Sequence, residues 1–157
     1  MEMTLRQLLG DLGLALAAFA FAFPIGWERH ARGRPAGLRT FPIVALASCA
    51  FALLGQGAFP DDPGAQARIL QGLMTGIGFI GGGAIVKEMS GEEREGTVTG
   101  IATAASIWNT GAIGAAVSYR RFEVAFVLSA VNFLILRYLK PVVERAPTAP
   151  EGEGGSD

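Results

Sequence analysis

No charged residue occurs between Asp11 and Glu28, Arg39 and Asp61, Arg68 and Lys87, or Glu95 and Arg120 of this 157-residue chain. These gaps run from about 16 to about 24 residues, close to the ~20 that a helix needs to cross the hydrocarbon of a bilayer. A fifth apolar block, 122–139, is interrupted only by Glu123 and Arg137, both near its ends. Long charged side chains at such positions reach the interface while their stems stay in apolar surroundings. A soluble domain can hide one such helix in its core. Five in succession leave too little polar surface to cover them. The sequence therefore predicts an all-α, polytopic membrane bundle with spans at 4–26, 41–59, 68–87, 97–118 and 121–140. Arg6 and the alanines of the first block resemble a signal peptide, but another apolar span follows, so the first block is read as a retained helix.

Composition agrees. Only 17% of residues are charged, against about 25% in an ordinary soluble domain, and the mean hydropathy is +0.38. Arginine and lysine set the orientation. Arg29, Arg32, Arg34, Arg39, Lys87, Arg94, Arg137, Lys140 and Arg145 lie on one side of the predicted spans, and Arg6, Arg68, Arg120 and Arg121 on the other. Nine against four places the amino terminus outside and the carboxyl terminus in the cytoplasm of a bacterial inner membrane. Residues 1–145 form the predicted transmembrane domain. The segment APTAPEGEGGSD, 146–157, reads as a disordered tail.

Gly76-Ile77-Gly78-Phe79-Ile80-Gly81 matches the glycine spacing of a dinucleotide loop. Such a loop needs a strand before it, a helix after it and a parallel sheet around it, and a five-span chain has no room for these. No P-loop lysine follows. The membrane reading explains the spacing better. Gly72 with Gly76, and Gly78 with Gly82, are four apart and share helix faces, where glycine allows close backbone approach. Ala18, Ala22 and Gly26 repeat the device in span one, and Ala102, Ser106, Thr110, Gly114 and Ser118 in span four. The run Gly81-Gly82-Gly83 either breaks the helix, as at a re-entrant bend, or permits close packing.

Polar residues within the spans are candidates for a polar path: Asp11, Gln71, Thr103, Ser106 and Asn109. The competing reading is that Asp11 reaches the outer interface and that the span-four hydroxyls bond to their own helix or a neighbour. Trp27 suits an interfacial position, and Trp108 a packed one. No transition-metal spacing of His, Cys and Glu exists, no cofactor is implied, and metal ligands stay unassigned. No nucleophile–base pair can be placed around His30, the only histidine, so no enzyme is expected. No basic face with interleaved aromatics points to nucleic acid. In the loop GWERHARGRPAGLRT, Glu28, Arg29, Arg34, Gly37, Arg39 and Thr40 form the motif of interest. Its glycines and Pro35 imply a defined turn, and Glu28 with Arg29 is placed to form an ion pair at the membrane edge.

That loop, with GIGFIGGGAI and VTGIATAASIWNTGAIGAA, resembles in order and spacing the three signature stretches of the MgtC/SapB family of bacterial inner-membrane proteins. The likeness runs from about Leu8 to Leu139. It implies association with magnesium homeostasis and growth at low magnesium and, in pathogens, with survival in host cells. It does not imply ATP hydrolysis. Family-typical positions are Glu28, Arg29, Gly37, Leu38, Arg39 and Thr40; then Gly76, Gly78, Phe79, Gly82 and Ile85; then Val98, Gly100, Thr103, Ala104, Ala105, Trp108 and Gly114. Phe41, Ala102 and Asn109 depart from the family pattern, which bears on any virulence role. Two functions follow from the resemblance and the residues. One is a non-enzymatic protein acting through contacts in the lipid bilayer with another membrane protein, ATP synthase being the partner the resemblance suggests. The other is a carrier or channel for Mg²⁺ or another small ion, built from the bundle and repeated in a homo-oligomer.

Overall fold

The computed structural model describes residues 4–88 and 97–139. Thr4 starts the first helix with a capping box: its hydroxyl accepts from the Gln7 backbone N–H, and the Gln7 side chain accepts from the Thr4 backbone. Five helices follow: α1 (Leu5–Ala31), α2 (Thr40–Ala58), α3 (Pro63–Gly82), α4 (Ile101–Ser118) and α5 (Phe122–Leu134), the last running on into a π-helical turn, Ile135–Leu139. Asp62 caps α3, accepting the Ala65 N–H at 2.9 Å, with Pro63 at the first helical position.

The helix α4 is central and packs against all four others. Its buried side chains are mostly small or hydroxylated: Thr103, Ser106, Thr110, Gly111, Gly114 and Ser118, with Ile107, Ile113 and Val117 between them. A helix enclosed by four neighbours does not meet lipid over much of its surface, so it tolerates this polarity. By contrast α1, α2 and the stretch Phe122–Leu139 are long and apolar enough to cross a membrane. Their outer faces expose Leu5, Leu9, Leu16, Ile43, Leu54 and Phe126. So many large apolar side chains outside a core of alanine, glycine, serine and isoleucine call for lipid as the solvent. The helices α3 and α4 have the length, but glycine, serine and threonine dilute their apolarity.

Several boundaries differ from the sequence expectation. The third and fourth spans do not run to Lys87 or from Thr97. Residues Val86–Glu88 (β1) and Thr97–Thr99 (β2) instead pair antiparallel. Valine and threonine crowd a helix and suit a pleated strand, and three glycines in a row end α3 just before them. The Gly83 N–H bonds back to Phe79 O at 3.1 Å, and the chain turns into β1. At the other end of the gap, Gly100 takes φ +91° before α4 begins. Helix α1 also runs five residues past the expected end, so Glu28 and Arg29 lie on its last turns and not in the loop. The tail 146–157 lies outside the described residues, as do Arg94, Lys140 and Arg145.

Close helix approach in this chain uses the expected Gly114 of α4 but not the four α3 glycines expected to provide it. A Cβ at Gly72, Gly76, Gly78 or Gly82 would meet nothing within 4 Å. The crowded positions are Gly114, whose Cβ would overlap the Ala45 carbonyl; Gly111, against the Ile77 side chain; and Gly81, 3.1 Å from Ala104 O. Gly55, 2.8 Å from the Ile69 side chain, is another. Spacing marks which glycines share a face, and only the packing shows which face is turned inward. The small stripe of α1 does face inward, with Ala18, Ala22 and Gly26 all buried.

Candidate functional site

Two features stand out: a buried charge cluster at one end of the bundle, and two grooves along its sides. The charge cluster is built by the last turns of α1 and the loop to α2. Glu28 and Arg29 are 3% and 4% exposed, and the Arg29 guanidinium meets Glu28 Oε2 through Nε at 2.7 Å and Nη2 at 2.6 Å. Arg32, one turn on, brings Nε to 3.1 Å from Glu28 Oε1, off the line of a hydrogen bond, so that oxygen is held by charge attraction alone. Arg32 Nη2 donates to the Arg137 carbonyl at 3.1 Å and so ties the end of α1 to the end of α5. The expected ion pair thus exists, and it is a triad of two cations on one carboxylate.

The loop is a defined turn. Gly33 takes φ +65°, its N–H bonds to His30 O, and the Arg34 N–H bonds to Arg29 O. Gly37 is buried with its Cα against His30, and Gly26 lies 3.2 Å (measured from an added Cβ) from Gly37 O, so the returning loop packs on α1 backbone to backbone. Arg34 is half-buried, Arg39 is exposed and Thr40 opens α2. Of the six motif residues the structure therefore joins Glu28, Arg29, Arg34 and Gly37 through α1, and leaves Arg39 facing outward.

The five polar-path candidates do not converge. Asp11 on α1 and Gln71 on α3 are exposed, while Thr103 and Ser106 are buried in α4. Ser106 donates back to Ala102 O at 2.8 Å and Thr110 to Ser106 O at 2.7 Å, which is the self-bonding reading of the stripe. Asn109 Nδ2 reaches across to Leu128 O at 3.3 Å. Trp108, expected to pack, is 46% exposed. Among the described residues, no group of three or more His, Cys, Asp or Glu comes together.

What the sequence reading missed is Asn132 on α5. Its Oδ1 faces Ser106 Oγ at 3.0 Å, and its buried Nδ2 has no partner. It lies mid-span among Val, Phe and Leu, and that isolated amide in an apolar run was the available signal. Ser106, Asn109 and Asn132 line a groove of about 350 Å³ between α4 and α5. A second groove of about 490 Å³, between α2 and α3, is almost wholly apolar and is lined by Ile43, Phe51, Ile69, Gly72, Gly76 and Ile80.

An all-α bundle with an apolar exterior, a small-residue core and a buried arginine–glutamate latch is a membrane protein. The chain belongs to the MgtC family, whose model matches residues 15–145. It is 36% identical over 141 residues to protein SrpB of Synechococcus elongatus, covering 83% of this chain and 78% of SrpB. It is 34% identical to protein MgtC of Salmonella typhimurium strain LT2, covering 88% of this chain and 57% of MgtC. With the "Putative magnesium transporter YhiD" of Escherichia coli strain K12 it shares 36% identity, covering 78% of this chain and 57% of YhiD. The chain thus spans little more than half the length of MgtC and YhiD. No solved structure matches it.

Proposed function

We propose that this protein is a non-enzymatic, multi-pass inner-membrane protein that serves magnesium homeostasis at low magnesium by contacting other membrane proteins within the bilayer. The observation that carries the reading is the arrangement of its polar residues. Asp11 and Gln71 lie exposed on α1 and α3, while the Ser106 and Thr110 hydroxyls lie within hydrogen-bond reach of α4's own carbonyls. A magnesium path needs several oxygen ligands in octahedral geometry, or room for the ion's waters, and these residues do not assemble one. The outer faces, by contrast, offer two grooves suited to helices or acyl chains. ATP synthase is the partner the resemblance suggests, and a second copy of the chain is another. The amino terminus lies outside and the Arg29–Arg39 segment in the cytoplasm.

The test combines flux with growth. Purified protein in liposomes loaded with a magnesium-sensitive dye is expected to admit Mg²⁺ no faster than empty liposomes. A strain lacking the gene is expected to grow poorly at limiting magnesium and to recover with the intact chain. Rapid protein-dependent Mg²⁺ entry overturns the contact reading in favour of a small-ion transporter, the second reading. The polar patch of Ser106, Asn109 and Asn132 at mid-helix, with the name carried by YhiD, favours that alternative. Orientation is checked with Arg34→Cys, which is expected to react with a membrane-impermeant thiol reagent only after the cells are broken.

A further inference from the structure

The α2–α3 groove opens on the outside of the bundle. On α3 it is lined by the exposed Gly72 and Gly76, where an added Cβ would meet nothing within 4 Å, so no side chain narrows it there. On α2 its rim is Ile43, Ala47 and Phe51, all exposed and four apart. The one hydroxyl in its wall, that of Ser48, donates to Val44 O at 2.7 Å within its own helix. The groove therefore makes no hydrogen-bonding demand on what lies in it, and it suits an occupant that is purely apolar at this depth.

Its length narrows the choice. At 1.5 Å per residue the groove runs about 12 Å along α2, from Ile43 to Phe51, and about 16 Å along α3, from Ile69 to Ile80. Half of a ~30 Å hydrocarbon core is about 15 Å, so the groove is one leaflet deep. The two helices run antiparallel, since Gly55 faces Ile69 while Ser48 and Ile77 both face Gly111. Ile43, in the first turn of α2, and Ile80, in the last turn of α3, therefore share the end of the groove that lies nearest the interface. A transmembrane helix needs the full ~30 Å, about twice the length on offer.

Arg39 stands at that end. Its backbone is helical (φ −91°, ψ −44°) and its carbonyl accepts the Ile43 N–H at 3.2 Å, so it continues the row Ile43, Ala47, Phe51 by one turn. Side chains on a helix lean toward its N-terminus, which carries the guanidinium out of the hydrocarbon to headgroup level. Arg39 is exposed, and no acid among the described residues pairs with it, whereas Glu28 is taken by Arg29 and Arg32. The N-terminus of α2, at the same level, has no side-chain cap and adds the positive end of a helix dipole. An unpaired cation above an apolar slot one leaflet deep is complementary to a lipid, with its anionic headgroup above and its acyl chain below. We propose that the α2–α3 groove binds one anionic phospholipid of the leaflet on the Arg39 side, an acyl chain lying over Gly72 and Gly76 and the phosphate on the Arg39 guanidinium. This rests on the reading of the chain as a bilayer protein and goes beyond its contacts with other proteins.

The test uses the full chain in a neutral detergent, titrated with dioleoyl phosphatidylglycerol or, in parallel, with zwitterionic dioleoyl phosphatidylcholine, and native mass spectrometry counts the lipid bound per chain. One phosphatidylglycerol per chain is expected to be retained, and phosphatidylcholine to bind about fivefold more weakly, the worth of one arginine near an anionic lipid. Arg39→Gln is expected to erase that preference. Arg34→Gln is expected to keep it, since Arg34 is tied by its backbone to Arg29 of α1. Gly76→Leu fills the groove and is expected to weaken the binding of both lipids by about tenfold or more. Gly78→Leu is the matched control: Gly78 is also exposed, with open space around an added Cβ, but does not line the groove, and this variant is expected to bind like the parent chain. Equal binding of the two lipids by the parent, an Arg34→Gln effect as large as that of Arg39→Gln, or equal effects of the two leucine variants overturns the proposal. A dimer of the parent chain that Gly76→Leu dissociates overturns it too and gives the groove to a second copy. Arg39 is exposed, so its arm of the test does not depend on the folding of Gly76→Leu. A chain that stays in solution without detergent contradicts the bilayer reading itself, whereas one that needs detergent and shows no lipid preference contradicts this proposal alone.

Discussion

Ser129 of α5 donates its hydroxyl proton to the Phe21 carbonyl of α1 at 2.6 Å, one residue beyond the Ala20 carbonyl that Pro24, lacking an N–H, leaves without its helical donor. Proline inside a membrane helix is tolerated where a neighbouring serine or threonine serves the disturbed carbonyls. Ser129→Ala is therefore expected to destabilise the bundle by about 0.5–1.7 kcal/mol, the range for polar contacts between membrane helices. In a Pro24→Ala background, where the ring no longer pushes the neighbouring Ala20 and Phe21 carbonyls off the helical ladder, the same change is expected to cost less. Unfolding by denaturing detergent in mixed micelles, run as a double-mutant cycle, measures the difference.

The buried triad predicts a large asymmetry. Glu28→Gln leaves Arg29 buried and Arg32 without its carboxylate. Removing one partner of a buried pair costs about 3–5 kcal/mol, because the other charge is stranded. Glu28→Gln with Arg29→Met removes both charges and is expected to be less destabilising than Glu28→Gln alone. The same detergent titration checks this, and equal or greater damage in the double variant contradicts the stranded-charge account.

Glycines of similar appearance in the sequence are expected to respond oppositely. Gly114→Ala places a methyl against the Ala45 backbone, which cannot rotate away, and overpacking of this kind costs about 1–3 kcal/mol. Gly76→Ala enters open space and removes a helix-weakening glycine, a gain of up to about 1 kcal/mol. Thermal unfolding of the two variants in the same detergent gives the comparison.

These contrasts show how far the sequence could be read. Charge spacing located all five helices, because a charge in lipid is costly enough to leave a mark on every span. The Glu28–Arg29 pair was legible for the same reason. Glycine spacing was a poorer guide, since Gly72 and Gly76 share a face as clearly as Gly114 and Ser118 do, and nothing in a linear chain says which face meets a neighbour. Trp108 and Asn132 were misjudged or missed on that ground. The β1–β2 pair was hidden because Val86 and Val98 extend the apolar runs and count towards a span in hydropathy. Their β-branching, and the positive φ that Gly100 adopts between β2 and α4, are what end those runs.

Gly100 and Gly33 both adopt left-handed backbone, at φ +91° and +65°, yet they predict different outcomes. A Cβ at Gly33 meets nothing within 4 Å, so Gly33→Ala costs only the left-handed conformation, about 1–2 kcal/mol, and Gly33→Asn less, since asparagine tolerates that region. A Cβ at Gly100 would overlap the Ala84 carbonyl and also press on Ile85 Cα at 3.2 Å. The Ala84–Ile85 backbone cannot yield without parting β1 from β2, in which Val86 pairs with Thr99. Gly100→Ala is therefore expected to cost more than Gly33→Ala, and Gly100→Asn to bring no recovery. Proteolysis of the detergent-solubilised variants at the β1–β2 segment reads this locally: faster cleavage for Gly100→Ala, and a rate near that of the parent chain for Gly33→Asn. Equal protection of Gly100→Ala, Gly33→Asn and the parent chain would show that the start of α4 is looser than the contact with Ala84 requires.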